Sequence, residues 1–338
     1  MAKTIYDVAR EARVSISTVS RVINNQIYVS AETREKVLNA MQGYHPSEVA
    51  QGLVTKKTMT LGVIISQDPD YFFSNSNYTK VLRGIGVMAK QRNYRILLDV
   101  NESESDYSTL YRGRKVDGLI LISIRTRSKY INKLIDNKIP FVLIGDYPDE
   151  NRQVPKVEVN DKIAALQAVS HLLLLGHSKI GLISGPLSYA SGVNRQEGYR
   201  AALESHGIAY RQSYVEVVKY VSEEAGYQAA RTLLMTGDRP TAIFAFNDTI
   251  ALGVYQAAEE LGMAIPGDLS VVGFDDSEVA KYLNPPLATV WQPAYEKGLK
   301  AAEILINSLN RPAQAPVENP SLLLPGKLLL RGSCVSPR

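Results

Sequence analysis

Short hydroxyl side chains are concentrated near the start of the chain, where Ser15, Ser17, Thr18 and Ser20 lie close together. Hydroxyl groups at the N-terminal end of a helix, beside backbone amides without an intrahelical partner, suit a close approach to phosphate groups. Arg21 follows one turn later and can donate to a guanine edge or a phosphate. The chemistry predicted for this segment is contact with a nucleic-acid backbone.

A second set of polar and aromatic residues follows short apolar runs in the rest of the chain. Carboxylates, amides and arginine pair with vicinal hydroxyls, and aromatic rings stack on the apolar face of a sugar. These residue types therefore predict sugar recognition. The candidates are Asp68, Asp70, Tyr71, Phe72, Phe73, Asp146, Arg195, Asn247, Asp248, Asp275 and Asp276.

Helix signals surround the hydroxyl cluster. Thr4 begins a capping-box pattern for a short first helix. Ser15 is placed to cap a second helix over 16–24, and Ser30 to cap a third over 31–42. Two short helices across a tight turn, with a third as support, form a helix-turn-helix, whose second helix enters the major groove of DNA. On spacing alone, a three-helix unit with a serine-rich surface is the alternative.

The first two residues of the second helix would face base edges in such a unit. Ile16 is apolar and can contact a thymine methyl group. Ser17 is a short donor and acceptor at the same end. Charge agrees with this interpretation, because residues 1–58 hold eight Lys/Arg and five Asp/Glu in a chain whose net charge is +4.

The remainder of the chain alternates short apolar runs with amphipathic stretches. This alternation predicts an α/β core with parallel sheets covered on both faces, whose ligands lie beyond the carboxyl ends of the strands. The predicted strands are Leu61–Ile65, Ile96–Val100, Leu119–Ile122, Phe141–Ile144, Ile180–Ser184, Ala242–Phe246 and Leu269–Phe274. The predicted helices are Lys80–Arg92, Ile163–Leu175, Arg195–His206, Glu223–Met235 and Thr249–Leu261.

Composition excludes several classes of protein. The chain has 338 residues, 45% hydrophobic and 21% charged, which is typical of two or three globular domains. It has no apolar run of the roughly 18 residues that a membrane span needs. Its opening residues mix acids and bases where a secretory signal would be apolar, so a cytoplasmic protein is predicted. The single cysteine, Cys334, allows no intramolecular disulfide and is expected to be inert.

Motifs for catalysis or cofactors are missing from the sequence. No glycine-rich nucleotide motif follows the first strand, and the four histidines show no metal-ligand spacing. His177 is expected to be a buried hydrogen-bonding residue or a helix cap. No nucleophile elbow or Cys/His pair is present, and adjacent residues such as Asp275 and Asp276 point apart. We therefore predict no cofactor, no metal and no enzymatic activity.

The segment TIYDVAREARVSISTVSRVINN, followed by VSAETREKV, resembles the DNA-binding headpiece of the LacI/GalR family of bacterial repressors. The resemblance implies that Ile16 and Ser17 form the base-contacting pair. It also implies a hinge helix around YHPSEVAQGL, whose Leu53 would wedge into the minor groove. Further implied contacts to DNA are Thr4, Tyr6, Ser15, Thr18, Ser20, Arg21, Asn24 and Thr33.

The same resemblance implies a two-lobed, periplasmic-binding-protein-like core with an effector cleft. The expected domains are a helix-turn-helix at 1–45, a hinge at 46–58 and a core at 59–338. Within the core, we expect a first lobe of about 59–157 and 290–318, and a second of about 160–287 and 320–332.

The family resemblance also implies which residues contact the effector. Arg195, Asn247 and Asp275 match effector contacts of the family, and Tyr220 matches an aromatic that often stacks on sugar. Phe72, Phe73 and Asp146 are further candidates from the strand ends. Asp248 has the alternative role of capping the helix that follows it, and Trp291 could belong to the core or to the cleft.

The predicted function is a homodimeric repressor of sugar-utilisation genes that binds a near-palindromic operator and a small sugar effector. The aromatic run Tyr71-Phe72-Phe73 favours a glucoside or a maltooligosaccharide. The alternative is a catabolite-control regulator that uses a phosphorylated carrier protein as corepressor. A solute-binding protein and a sugar-metabolising enzyme are rivals from other classes; the missing secretory signal and the missing catalytic groups count against them.

Overall fold

The computed structural model describes residues 3–23, 28–44, 57–101, 105–126, 128–147, 154–311 and 320–337. The chain forms two compact units, Met1–Met59 and Thr60–Arg338. Asn24, Leu53 and almost the whole predicted hinge at 46–58 lie outside the described residues. Among the described residues, every helix is too short or too polar to cross a membrane.

The first unit contains helices α1 (Ile5–Ala12), α2 (Ile16–Ile23) and α3 (Ala31–Ala40). The predicted capping box is present at the start of α1, and Ser30 caps α3. Between α1 and α2 the turn passes through Arg13, whose φ is 55°. The apolar faces meet in a small core of Val8, Ala9, Ala12, Val19, Val22, Val37 and Ala40. The three-helix prediction is confirmed.

The second unit contains two lobes, each built on a six-stranded sheet. The strands of the first lobe are β1 (Thr60–Ile65), β2 (Arg95–Val100), β3 (Gly118–Ile122), β4 (Phe141–Ile144), β5 (Lys156–Val159) and β11 (Ser321–Leu324). Their order in the sheet is β11-β5-β4-β3-β1-β2, and every pair is parallel. The helices of this lobe are α4 (Pro69–Ser74), α5 (Ser76–Gln91), α6 (Ser108–Arg112), α7 (Lys129–Asp136) and α12 (Ala294–Leu309).

The second lobe repeats this plan. Its strands are β6 (Ile180–Ser184), β7 (Val215–Val217), β8 (Ala242–Ala245), β9 (Ser270–Asp275), β10 (Ala288–Trp291) and β12 (Lys327–Leu329), in the order β12-β10-β9-β8-β6-β7. Its α-helices are α8 (Asp161–Leu174), α9 (Ala190–Ser205), α10 (Glu223–Leu234) and α11 (Asp248–Glu260). Two 3₁₀ turns occur at Gln212–Tyr214 and Glu278–Lys281. The seven predicted strands and five predicted helices are present with shifts of a few residues at some ends.

The last strands correct one expectation about the lobes. The segment 320–332 was expected to belong to the second lobe, but β11 pairs with β5 in the first sheet. Only β12 joins the second sheet, where it runs antiparallel to β10. A proline and a glycine at 325–326 separate these two short strands, and neither residue suits the interior of a continuous strand. The chain therefore crosses between the lobes here, as it also does after β5 and after β10.

Candidate functional site

The N-terminal end of α2 is exposed and rich in hydroxyl groups. Ser15 accepts a hydrogen bond from the amide of Thr18 at 3.2 Å, and its hydroxyl is 2.7 Å from that of Ser17. Ile16 is 41% exposed although it is apolar. Arg21 is exposed and forms no ion pair with another described residue. The apolar side chain and the guanidinium are thus both free to contact DNA.

The other predicted DNA contacts differ in exposure and in whether their side chains already form hydrogen bonds within the first unit. Tyr6 is 69% exposed on α1. Thr4 is exposed, but its hydroxyl donates to a carboxylate of the capping box at 2.6 Å. Thr33 is partly buried and accepts from the Ser30 hydroxyl at 2.9 Å. Ser20 is partly buried on α2. Thr4 and Thr33 therefore take part in holding helix ends as well as being candidate contacts.

A cavity of about 150 Å³ lies between the two lobes of the second unit, at the carboxyl ends of the parallel strands. Of the predicted effector residues, Asp146, Arg195 and Asp275 line it. Rings of Tyr71 and Phe246 also line it. The cavity combines charged, amide and aromatic groups in the way that the strand-end argument predicts.

Hydrogen bonds between the lobes enclose this cavity. The side-chain amide of Asn77 in the first lobe donates to the backbone carbonyl of Asp275 in the second at 3.0 Å. The hydroxyl of Tyr189 in the second lobe donates to the backbone carbonyl of Ser66 in the first at 3.1 Å. The cleft is therefore closed to the extent that the two lobes are in direct contact beside the cavity, which stays partly open to solvent.

Arg195 lies on α9 and is 6% exposed. Its Nη2 atom lies 3.1 Å from a carboxylate oxygen of Asp161 and 3.7 Å from one of Asp275. Nη1 donates to the backbone carbonyl of Phe246 at 2.7 Å, and the guanidinium carbon lies 3.6 Å from the ring centroid of Phe274. These contacts hold the guanidinium in one position and compensate its charge, which preorganises it for a ligand.

Asp275 ends β9 with a φ of 109°, a conformation that costs about 1–3 kcal/mol for a residue other than glycine. Its Oδ1 atom accepts a hydrogen bond from Nε2 of Gln292 at 2.6 Å. Burial raises the pKa of Asp275, while the charges of Arg195 and Lys297 oppose that rise. The strained backbone places a desolvated carboxyl group at the cavity wall.

Asp146 follows β4 and is already paired. It accepts from Nζ of Lys156 at 2.6 Å and from the amide of Asn194 at 3.2 Å. Burial alone would raise the pKa of Asp146, but the hydrogen bonds from Lys156 and Asn194 outweigh that effect, and the pKa is lowered. The carboxylate is therefore ionised and compensated where it faces the cavity.

Asn247 is buried, and its amide is engaged by neighbouring groups. Its side-chain oxygen accepts from the amide of Ile250 at 3.0 Å and so caps α11. Its Nδ2 atom donates to the hydroxyl of Tyr71 at 2.9 Å. In this closed cleft, Tyr71 lines the cavity where Asn247 was expected to contact the effector.

The capping role considered for Asp248 belongs to Asn247. Asp248 instead accepts from the hydroxyl of Thr289 at 2.6 Å and from the amide of Ser277 at 2.7 Å, and it is 1% exposed. Burial raises the pKa of Asp248 to about 7, and the charge of Asp275 adds to the rise. Asp248 thus joins α11 to the loop after β9.

Three predicted aromatic residues lie away from the cavity. Phe72 is fully buried in the core of the first lobe, and Phe73 is 64% exposed. Successive residues of α4 point in different directions around the helix, so the residue that reaches the cavity is Tyr71. Tyr220 is 53% exposed and lies at a neighbouring open part of the cleft.

Several cavity residues were not proposed as site residues from the sequence. Asp161 and Gln292 stand where the chain crosses between the lobes, and a search of the crossover points would have found them. Tyr78 and Lys297 lie on α5 and α12, and their types and spacing gave no signal. Burial raises the pKa of Tyr71 well above its ordinary value, so its phenol stays neutral.

No group of ligating residues among the described parts of the chain could hold a metal ion. His177 is 3% exposed and hydrogen-bonds to the hydroxyls of Thr241 and Ser270, as expected for a buried structural histidine. Burial raises the pKa of Cys334 to about 11, so its thiol is protonated at neutral pH. This agrees with the expectation that the thiol is inert.

Fold and site together define a two-lobed binding core joined to a helix-turn-helix unit. Residues 4–47 match the family described as bacterial regulatory proteins, lacI family, and residues 169–334 match the periplasmic binding protein-like domain. Catabolite control protein A of Priestia megaterium is 36% identical over 343 residues, which cover 98% of this chain and 99% of that protein.

Solved structures agree with this assignment. A lac repressor dimer bound to operator and the anti-inducer ONPF has a TM-score of 0.83 at 29% identity, covering 99% of this chain and 100% of that one. A complex of the transcriptional regulator CelR with cellobiose has a TM-score of 0.76 at 30% identity, covering 98% and 99%. The chain belongs to the lacI family of bacterial regulatory proteins. It is a DNA-binding transcriptional regulator and not an enzyme.

Proposed function

We propose that this regulator binds a small sugar in the closed cleft and that the sugar controls its affinity for operator DNA. The observation that carries the proposal is the pair Arg195 and Asp275, whose charged groups lie 3.7 Å apart at a cavity between the lobes that the rings of Tyr71 and Phe246 also line. A carboxylate and a guanidinium pair with vicinal hydroxyls, while a ring covers the apolar face of a sugar. The complex of CelR with cellobiose supports a sugar as the class of ligand.

The exposed end of α2 is proposed to enter the major groove. Ile16 and Ser17 would contact base edges, and Arg21 a guanine edge or a phosphate. Leu53 would act as the minor-groove wedge. The remaining proposed contacts are Thr4, Tyr6, Ser15, Thr18, Ser20, Asn24 and Thr33.

The regulator is proposed to act in the cytoplasm as a homodimer on a near-palindromic operator, because two-fold protein symmetry is matched by two DNA half-sites. The solved lac repressor dimer on its operator supports this arrangement. If cleft and headpiece are coupled, the sugar and the operator must change each other's affinity by the same factor.

The test combines selection of genomic fragments with a sugar screen. Full-length protein is used to enrich genomic DNA, and the enriched fragment is titrated by fluorescence anisotropy with and without mono- and disaccharides. A sugar present at 100 times its dissociation constant should also stabilise the protein by about 2.7 kcal/mol, which a thermal-shift assay detects. Failure to prefer any fragment over random duplex, with or without sugar, would contradict the proposal.

A second candidate function has its own support. The relative from Priestia megaterium is named catabolite control protein A and matches along almost the whole chain. Under this alternative, a phosphorylated carrier protein would act as corepressor. Titration of the operator complex with that carrier protein, phosphorylated and unphosphorylated, separates the two candidates, since only the alternative expects tighter DNA binding from the phosphorylated form.

A further inference from the structure

One hydroxyl group at the cavity is hydrogen-bonded to an asparagine of each lobe. The hydroxyl belongs to Tyr71, on α4 of the first lobe, and it accepts from Nδ2 of Asn247 in the second lobe at 2.9 Å. The same oxygen accepts from Nδ2 of Asn75 in the first lobe at 3.1 Å. A phenol oxygen has two lone pairs, so these two donors fill its capacity to accept. Tyr71 therefore connects the two lobes through a side-chain contact.

Both asparagines are held in place because they cap helices. The side-chain oxygen of Asn75 accepts from the amide of Asn77 at 2.9 Å and caps α5. The side-chain oxygen of Asn247 accepts from the amide of Ile250 at 3.0 Å and caps α11. Since each oxygen is bound to a backbone amide, the hydrogen bonds fix which way each side-chain amide points. The first turns of one helix from each lobe thus meet at the hydroxyl of Tyr71.

The ring of Tyr71 is held by its own lobe. It packs edge-on against the ring of Tyr78, with the two centroids 5.8 Å apart. On the other side of the contact, Asn247 is 1% exposed. Two groups that are already fixed lose little conformational freedom when a hydrogen bond forms between them. The contact between Tyr71 and Asn247 therefore keeps most of its energy as net attraction between the lobes.

Other side-chain pairs between the lobes are less well held. Nζ of Lys80 in the first lobe lies 3.8 Å from a carboxylate oxygen of Glu278 in the second, and the Glu278 side chain is 58% exposed. Such exposed pairs contribute little, because long side chains lose freedom when they pair. Asn194 donates to Asp146 across the cleft at 3.2 Å, but its side chain forms no second hydrogen bond with a described residue. In the contact described above, both partners are fixed.

We infer that Tyr71 and Asn247 form an interlobe latch, which holds the two lobes of the core together. The latch consists of protein side chains alone, so it favours the closed cleft whichever ligand binds there. A ligand that prefers the closed cleft then has less of the closing free energy to supply, and its apparent affinity rises with the fraction of closed protein. Tyr71 is thus a positioning residue, and breaking the latch shifts the lobes toward an open arrangement.

The experiment follows opening of the cleft in the full-length protein with a thiol reporter. Ser191→Cys places a thiol on α9 at the cavity wall, where closure of the lobes hinders access of dithiobis-nitrobenzoate. Burial raises the pKa of the native thiol, Cys334, to about 11, so it reacts slowly. The protein without Ser191→Cys gives that background rate. Neither sugar nor DNA enters the measurement, so the latch and the proposed function can fail separately.

Two substitutions break the latch from opposite lobes. Tyr71→Phe keeps the ring and removes the hydroxyl, and Asn247→Ser keeps a good helix cap and removes the donor. Each should raise the reaction rate of the reporter about three- to tenfold, which is the effect of one net hydrogen bond. Combined in one chain, they should have no larger effect than either alone, because they break the same contact. An unchanged rate in Tyr71→Phe, or effects of the two changes that multiply, overturns the latch.

Tyr78→Phe is the matched control. Tyr78 lines the same cavity, but its hydroxyl is 2.9 Å from that of Ser123 within the first lobe. Loss of this hydroxyl should change the rate by less than about twofold. A rise equal to that of Tyr71→Phe would mean that loss of any cavity hydroxyl loosens the site, and it would overturn the latch. Thermal melting shows whether each variant is folded, and if Tyr71→Phe is not, the rate in Asn247→Ser decides.

Discussion

The exposed end of α2 and the cleft between the lobes hold similar residue types in opposite environments. Ile16, Ser17 and Arg21 are exposed on one helix. Arg195 and Asp275 are buried in the closed cleft and compensated by neighbouring charges. At the helix, a side chain can change without disturbing the fold. In the cleft, the groups proposed to bind ligand also balance each other's charge, so function and stability cannot be changed separately.

The largest effect is expected for Arg195→Met. The change leaves Asp161 and Asp275 buried near each other without their guanidinium, and breaking a buried ion pair costs about 3–5 kcal/mol. Urea unfolding followed by fluorescence of the single tryptophan, Trp291, measures the loss. The sugar response should also be lost, while operator binding is kept below the unfolding transition.

Arg211→Met is the control for this prediction, because Arg211 pairs with Asp238 at 2.9 Å on the exposed surface. Exposed pairs contribute about 0–1 kcal/mol. If Arg195→Met and Arg211→Met lowered the unfolding free energy equally, the contrast between a buried and an exposed site would be wrong.

Substitution of Asp248 tests whether burial also makes the stability of the second lobe depend on pH. Its pKa is about 7 in the folded protein and about 3.9 in an unfolded chain. Since the folded state holds the proton more tightly, Asp248 contributes stability below pH 3.9 and loses that contribution as the pH rises through 7. Between pH 5 and 8 this loss is about 2–3 kcal/mol.

Urea unfolding at pH 5, 6.5 and 8 measures the dependence for the wild type and for Asp248→Asn. The unfolding free energy of the wild type, minus that of Asp248→Asn, should fall as the pH rises, because the amide does not titrate. Asp275, whose pKa is also raised by burial, interacts with Asp248, so the difference reports the titration of the two carboxyl groups as a pair. Parallel pH profiles would show that Asp248 is ionised throughout this range.

On the exposed surface of α2, Arg21→Ala and Ser17→Ala should weaken operator binding without loss of stability. A base contact is worth about 1–3 kcal/mol, which is roughly ten- to a hundredfold in affinity. The unfolding free energy should change by less than about 0.5 kcal/mol, as for other exposed positions. Fluorescence anisotropy at several salt concentrations also shows whether Arg21 contacts a phosphate, since the salt slope would then fall by about one.

Arg10→Ala removes the same charge from an exposed site on α1, where Arg10 pairs with Asp7 at 2.6 Å. It should keep most of the sequence preference. A loss as large as that of Arg21→Ala would indicate general electrostatic attraction in place of recognition by α2.

The headpiece could be predicted from local sequence because its signals act over a few residues. A capping box, a serine cap and apolar spacing define each helix within one or two turns, and Thr4, Ser15 and Ser30 occupy the predicted cap positions. Which residues are exposed follows from the same spacing. The hinge at 46–58 lies outside the described residues and stays a prediction.

The cleft was predicted in part because the end of a parallel strand is itself a local feature. Arg195 and Asp275 were found in this way, with help from the family resemblance. Of the aromatic run after β1, Tyr71 was named only as a strand-end candidate, whereas Phe72 and Phe73 were preferred as effector contacts. The sequence did not show that this run forms a helix, on which each of the three side chains points in a different direction.

The position of Lys297 at the cavity could not have been predicted, since its helix was not predicted. The split of the last segment into β11 and β12 depends on pairing with distant strands. Local sequence patterns therefore do not identify strands and side chains whose partners are distant in the chain.

The smallest effect is expected for Thr4→Ala. This substitution tests whether function and stability can be changed separately at every exposed position of the headpiece. Thr4 is a proposed DNA contact, but its hydroxyl also completes the capping box with Asp7. Loss of such a cap costs about 1 kcal/mol, so this exposed position should lower both headpiece stability and operator affinity. Thr4→Ser keeps the cap and should restore the stability measured by circular dichroism melting. If Thr4→Ala weakened DNA binding while melting stayed unchanged, the hydroxyl would act on DNA alone, and the separation of function from stability at the headpiece would extend even to its helix caps.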